Sequence, residues 1–179
     1  MIARLPVGVW QDYYVKAAAL VEEVRPRTSV ALSISAFDSR DSTLYAWAVQ
    51  PGSPVDLIGF SFYPTRLGAR SMDAGFRAAD RWMRAVQPQK PHWVLGAGGY
   101  PLAHGEVSQE RAIWAALSWA TAHESVMGLV VSDANDYGQA MGIRAPNGRF
   151  RRAAEAMRTA QRTLRETLAP PGGRTTGQN

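Results

Sequence analysis

The 179-residue sequence has no cysteine, which excludes disulfides, thiolate metal sites and cysteine nucleophiles together. Lysine is almost absent: Lys16 and Lys90 are the two in the chain, and the rest of its positive charge is arginine. Histidine occurs three times, and His92, His104 and His123 have no zinc-site spacing. Apolar runs are far shorter than a membrane span. The opening Met1-Ile-Ala-Arg-Leu-Pro has no apolar stretch of the kind a secretory signal needs, so no signal peptide is read there, and the compartment stays open. The length also falls short of the roughly 250 residues of a complete eight-fold β/α barrel.

What is present reads as a globular domain: 46% hydrophobic, with six Trp, six Tyr and five Phe. The net charge of +5 is uneven. Residues 144–179 contain eight Arg against Glu155 and Glu166, a net +6, while the remainder carries −1. The high isoelectric point therefore belongs to the C-terminal helix and tail, where a solvated helix face or an anion-binding segment are both open readings.

Periodicity gives a helix followed by four strand-helix units. Residues 11–24 repeat apolar positions at helical spacing, and Pro26 ends the run. Strands are expected at Ser29–Ser35, Val55–Tyr63, His92–Leu95 and Val126–Val131. Val55–Tyr63 is apolar at nearly every position, as in a strand covered on both faces. Helices are expected within 37–50, after a cap at Ser71, after a cap at Ser108, and from Asn147-Gly148 onward. Gly96–Pro101 reads as a loop. One domain over 1–168 and a flexible tail over 169–179 follow.

Alternating β and α units imply parallel strands joined by right-handed crossovers. Function then gathers at the carboxyl ends of the strands, here Ser35–Asp41, Tyr63–Arg66, Gly96–Tyr100 and Ser132–Tyr137. Gly96-Ala-Gly98-Gly99 fails as a dinucleotide fingerprint because Pro101 stands where a glycine is needed. Asp133-Ala-Asn135-Asp136 fails as a calcium loop because Arg144 stands at its twelfth position. No Gly-x-Ser-x-Gly elbow occurs. No cofactor or metal site is expected.

Several strings in order resemble a known family. Asp56-Leu-Ile-Gly-Phe-Ser-Phe-Tyr63-Pro64 is similar to the sixth strand of TIM-barrel glycoside hydrolases of the retaining clan A type. Lys90-Pro-His-Trp-Val-Leu-Gly-Ala-Gly-Gly-Tyr-Pro101 resembles their seventh strand, and Gly128-Leu-Val-Val-Ser-Asp133 their eighth. Met141-Gly142-Ile143 through Asn147-Gly148 resembles the passage before their last helix. The resemblance covers residues 11–165 and implies the C-terminal half of a barrel. It also implies carbohydrate as the partner, with Tyr63 in the sugar site.

Two departures accompany it. The nucleophilic Glu that ends the family's seventh strand is matched by Gly96, and the family's acid/base Glu would precede Met1. Retaining hydrolysis needs two carboxyls about 5–5.5 Å apart. The expectation is therefore a half-barrel incapable of hydrolysis alone, truncated or catalytically silent. Asp133 and Glu106 are the candidate substitute carboxylates. Asp38, Asp41 and Asp136 are further acids expected on the rim. Tyr63, Arg66, Tyr100, Asp133 and Asn135 are the candidate sugar-binding residues. A non-catalytic carbohydrate-binding protein, or an interaction protein using its basic last helix, are the alternatives. Nucleic acid and membrane partners are not expected. Four strands leave two unpaired edges, so a homodimer or a missing N-terminal half-barrel is the expected partner. Ile34, Phe60, Phe62 and Val94 are expected to face the barrel interior.

Overall fold

A computed structural model describes residues 5–64, 72–86, 90–132 and 142–168. Ten elements follow in order: α1 (Val7–Val24), β1 (Ala31–Ile34), α2 (Ser39–Ala48), β2 (Leu57–Phe62), α3 (Met72–Ala85), β3 (His92–Ala97), α4 (Pro101–His104), α5 (Glu106–Thr121), β4 (Val126–Val131) and α6 (Arg152–Leu168). The four strands form one sheet in the order β1-β2-β3-β4, and every neighbouring pair is parallel. This is a half α/β barrel.

Register divides the strand side chains between two faces. Leu32 pairs with Ile58 and Ile34 with Phe60. Ile58 pairs in turn with His92, Phe60 with Val94 and Phe62 with Ala97. All eight are buried at 2% exposure or less, packed with Tyr45, Ala79, Ala116 and Trp119. The expectation for Ile34, Phe60, Phe62 and Val94 is thus corrected: they face the helices. A large apolar side chain gains about 1.5–3 kcal/mol on burial, and the amphipathic helices offer the nearest apolar surface.

Stacked rings organise this layer. Phe60 and Phe62 lie 6.0 Å apart and each meets Trp119 edge-on. His92 sits inside it, fully buried, with Nε2 3.2 Å from the Tyr45 hydroxyl. Burial lowers the His92 pKa to about 4 and raises that of Tyr45, so the pair is neutral at pH 7. Across the outer layer, Asp80 on α3 accepts from Trp119 Nε1 at 2.7 Å and lies 3.1 Å from His123 Nε2.

The other face holds Ser33, Gly59, Ser61, Gly96 and Gly128. Their glycines are sites of close approach. A Cβ on Gly128 would stand 2.6 Å from the Trp93 ring, and one on Gly59 would stand 2.0 Å from Leu95. β3 therefore spreads Trp93 and Leu95 across the glycines of β4 and β2.

Some boundaries differ from expectation. β3 continues to Ala97, and Pro101 opens the short helix α4 where a loop was expected, because proline suits the first helical turn. α5 begins at Glu106 behind Gly105 (φ 82°), so Ser108 lies inside its first turn and is not the cap. α1 has no buried residue, yet its Val7 and Tyr14 pack against the core, with the Tyr14 ring 6.2 Å from that of Trp47 on α2. The segment 169–179 lies outside the described residues, as does Ser71.

Candidate functional site at the strand ends

Three adjacent strand ends converge on one small cluster. Tyr63 follows β2, Gly96 and Gly98 lie at the end of β3, and Ser132 follows β4. Their placement follows from parallel pairing: Ser61 pairs with Gly96, and the Ser132 N–H donates to the Ala97 carbonyl at 3.0 Å. Tyr63 lies across the β3 end, and its hydroxyl hydrogen-bonds Ser132 Oγ.

The Tyr63 hydroxyl occupies the space a side chain at Gly96 would need. A Cβ there would stand 2.2 Å from that oxygen and 2.9 Å from Tyr63 Cζ. Gly98 lies under the same ring, where a Cβ would stand 3.4 Å from Cε1, an ordinary contact. Gly99 is pressed against the α5 backbone, its Cβ position 2.9 Å from Gln109 Cα. Two glycines of the run are thus packing requirements, Gly96 under Tyr63 and Gly99 against Gln109. No side chain, carboxylate or otherwise, fits at Gly96 unless Tyr63 moves.

The rim acids serve the backbone. Asp38 caps α2, accepting from the Arg40 and Asp41 N–H groups at 3.0 Å each. Asp41 Oδ2 accepts from Ala36 N and Phe37 N, at 2.9 and 2.8 Å. That pair of bonds holds Phe37 in the left-handed region (φ 53°), where a side chain with a Cβ is strained. The Phe37 ring is stacked 5.3 Å from Phe62, which offsets the strain.

Glu106 sits at the start of α5, bonded through Oε1 to Arg149 and through Oε2 to the Arg152 N–H at 3.4 Å. The Arg149 hydrogen bond holds its pKa below the ordinary carboxylate value. Such a carboxyl stays ionised and cannot act as a proton donor near neutral pH. Neighbouring Glu110 accepts from Arg152 Nε at 2.6 Å. Behind this cluster, Arg151 and Gln109 are buried and both donate to the Gly142 carbonyl, Gln109 at 3.2 Å.

Tyr100 is half-buried at the N-cap of α4, where its carbonyl accepts from Ala103 and His104. Arg66, Asp133 and Asn135 lie outside the described residues, as does Asp136. Of the candidate site residues, the structure brings Tyr63 to the strand-end cluster and places Glu106 in the arginine cluster. Ser132 was missed by sequence reasoning. Its position directly after an apolar strand on the functional rim was the available signal. Among the described residues, no cluster of three His, Asp or Glu could hold a metal, and no helix is long and apolar enough to cross a membrane.

No family model matches the chain, and no curated protein matches its sequence. Solved structures do resemble it. Xylanase 10B from Thermotoga maritima superposes with a TM-score of 0.64 at 13% identity, covering 87% of this chain and 53% of the xylanase. A GH2 β-galacturonidase from Eisenbergiella tayi gives 0.65 at 17%, covering 86% and 30%. A β-glucuronidase from Ruminococcus gnavus gives 0.64 at 14%, covering 85% and 29%. The chain thus spans about half of the xylanase and under a third of the other two. At these identities the likeness concerns the fold: part of the barrel found in glycoside hydrolases.

Proposed function

We propose that this chain is a glycoside-hydrolase-like half-barrel that binds carbohydrate at its strand ends and does not itself hydrolyse it. The observation that carries the reading is the Tyr63 hydroxyl seated over Gly96 and bonded to Ser132. Hydroxyls from Tyr63 and Ser132 suit the neutral donors and acceptors of a polyol. The nucleophile's place is filled by an oxygen that belongs to the fold. Glu106, the described candidate substitute, is neutralised by arginine, and Asp133 stands as the other.

Fold likeness to the xylanase and the two uronide-acting enzymes supports the substrate class. In this reading the chain contributes the floor of a sugar site, and any chemistry depends on carboxyls supplied from elsewhere. The alternative, a basic last helix that captures an acidic partner, has less support. Arg149, Arg152 and Arg158 are already paired with Glu106, Glu110 and Glu155.

The test is calorimetric titration with xylobiose, xylo-oligosaccharides, galacturonate and glucuronate, beside a reducing-sugar assay on the same panel. Binding without turnover, weakened in Tyr63→Phe and Ser132→Ala, is the expected result. Turnover that survives repurification and disappears in Asp133→Asn or Glu106→Gln overturns the non-catalytic part. Absence of binding across the panel overturns the carbohydrate part.

A further inference from the structure

A cavity of about 400 Å³ opens between the β1–α2 connection and α3. It lies on the helix side of the sheet, where Phe62 packs, and has the size of a small-molecule site. Ser35 lines it directly after β1, and Phe37 and Phe62, stacked 5.3 Å apart, give it an apolar part. α3 supplies Met72 and, one turn apart, Arg77 and Arg81. Both arginines are exposed. Among the described residues neither forms an ion pair, and no carboxylate lines the cavity. The acids of the two flanking helices are engaged elsewhere. Asp38 and Asp41 hold the start of α2, and Asp80 meets Trp119 and His123. Asp73, on the turn before Arg77, forms no ion pair with it.

We infer that this cavity is a second binding site, for a phosphate or carboxylate group carried on a small organic molecule. Like charges four residues apart on a helix repel, and an oxyanion held between them replaces that repulsion with attraction to both. Each guanidinium presents a planar fork of N–H donors that fits two oxygens of one phosphate or carboxylate. The pair differs in this from Arg149, Arg152 and Arg158, whose forks are taken by glutamates of the chain itself. Ser35 adds a hydroxyl to the lining, and the two rings offer apolar surface to the body of the ligand. The inference does not rest on the carbohydrate reading, because Gly96 and its neighbours belong to the other face of the sheet.

Calorimetric titration of the full chain with inorganic phosphate, glucose 6-phosphate, glucuronate and glucose tests the inference, with circular dichroism as the check on folding of each variant. Saturable binding of phosphate, weakening as salt rises, is expected. Glucuronate also suits the strand-end sugar site, so inorganic phosphate is the deciding probe. Arg77→Gln and Arg81→Gln, both at exposed positions, are each expected to weaken phosphate binding about tenfold, as for loss of one charge-assisted hydrogen bond. Arg84→Gln removes the same charge from the same helix outside the cavity and is expected to leave phosphate binding unchanged. Glucose 6-phosphate binding more tightly than glucuronate assigns a phosphate ligand, and the reverse order a carboxylate one. Absence of phosphate binding overturns the inference. Binding that falls equally in Arg84→Gln, or that is indifferent to both cavity arginines, overturns it as well.

Discussion

The two faces of the sheet are built on opposite plans. The helix side is filled with large rings and branched chains, interlocked and dry. The inner side is made of serines and glycines, over which Trp93, Leu95 and Tyr63 are laid flat. On the first face volume comes from every strand. On the second, three side chains do the covering and their neighbours are glycines because no Cβ fits beneath. The first plan stabilises the fold. The second sets what the strand-end site can hold.

The contrast predicts unequal responses to substitution. Phe60→Ala, on the dry face, is expected to lose about 3–5 kcal/mol in denaturant unfolding, whereas Ser61→Ala next to it should change stability little. Equal losses from the two would break the comparison. Acid should act on the dry face too. His92 has its pKa lowered from 6.5 to about 4 in the folded state, so the unfolded chain binds its proton first. Stability from this group is full above about pH 6.5 and falls by about 1.4 kcal/mol per unit toward pH 4. His92→Gln should flatten that limb of the pH–stability curve.

Smaller effects sharpen the inner face. Gly128→Ala must displace the Trp93 ring and should cost about 1–3 kcal/mol with altered tryptophan fluorescence. Asp41→Ala removes the acceptor that holds Ala36 and Phe37, at about 1–3 kcal/mol in thermal unfolding. Tyr63→Phe should cost about 1 kcal/mol, the net value of one hydrogen bond. Tyr63→Ala should make room for Gly96→Ala, so the double variant is expected to be more stable than the two separate losses summed. Strict additivity would argue against the packing described for Gly96.

The parallel half-barrel was legible in the chain because each strand is a short apolar run set off from the next by a helical repeat. Val126–Val131 came out residue for residue, bounded by the polar Glu124-Ser125 and Ser132-Asp133. Which face of each strand turns toward the helices was not legible. Ile58, Phe60 and Phe62 alternate with Leu57, Gly59 and Ser61, and alternation alone does not say which set meets the helix layer. Tyr63 was found through its place after β2, but the partner of its hydroxyl was not, since Ser132 is 69 residues away in sequence.

By itself the sequence determined the order of elements, the direction of the strands and the rim on which the candidate site lies. These follow from local periodicity and from the handedness of β-α-β crossovers. Tertiary structure alone decided that Ile34, Phe60, Phe62 and Val94 point outward, that Asp38 and Asp41 serve the backbone, and that Glu106 belongs to an arginine cluster. It also decided that the space over Gly96 is occupied. Each of these depends on which distant groups come within a few ångströms of one another, and side-chain volume and register, which no local pattern encodes, settle that contact.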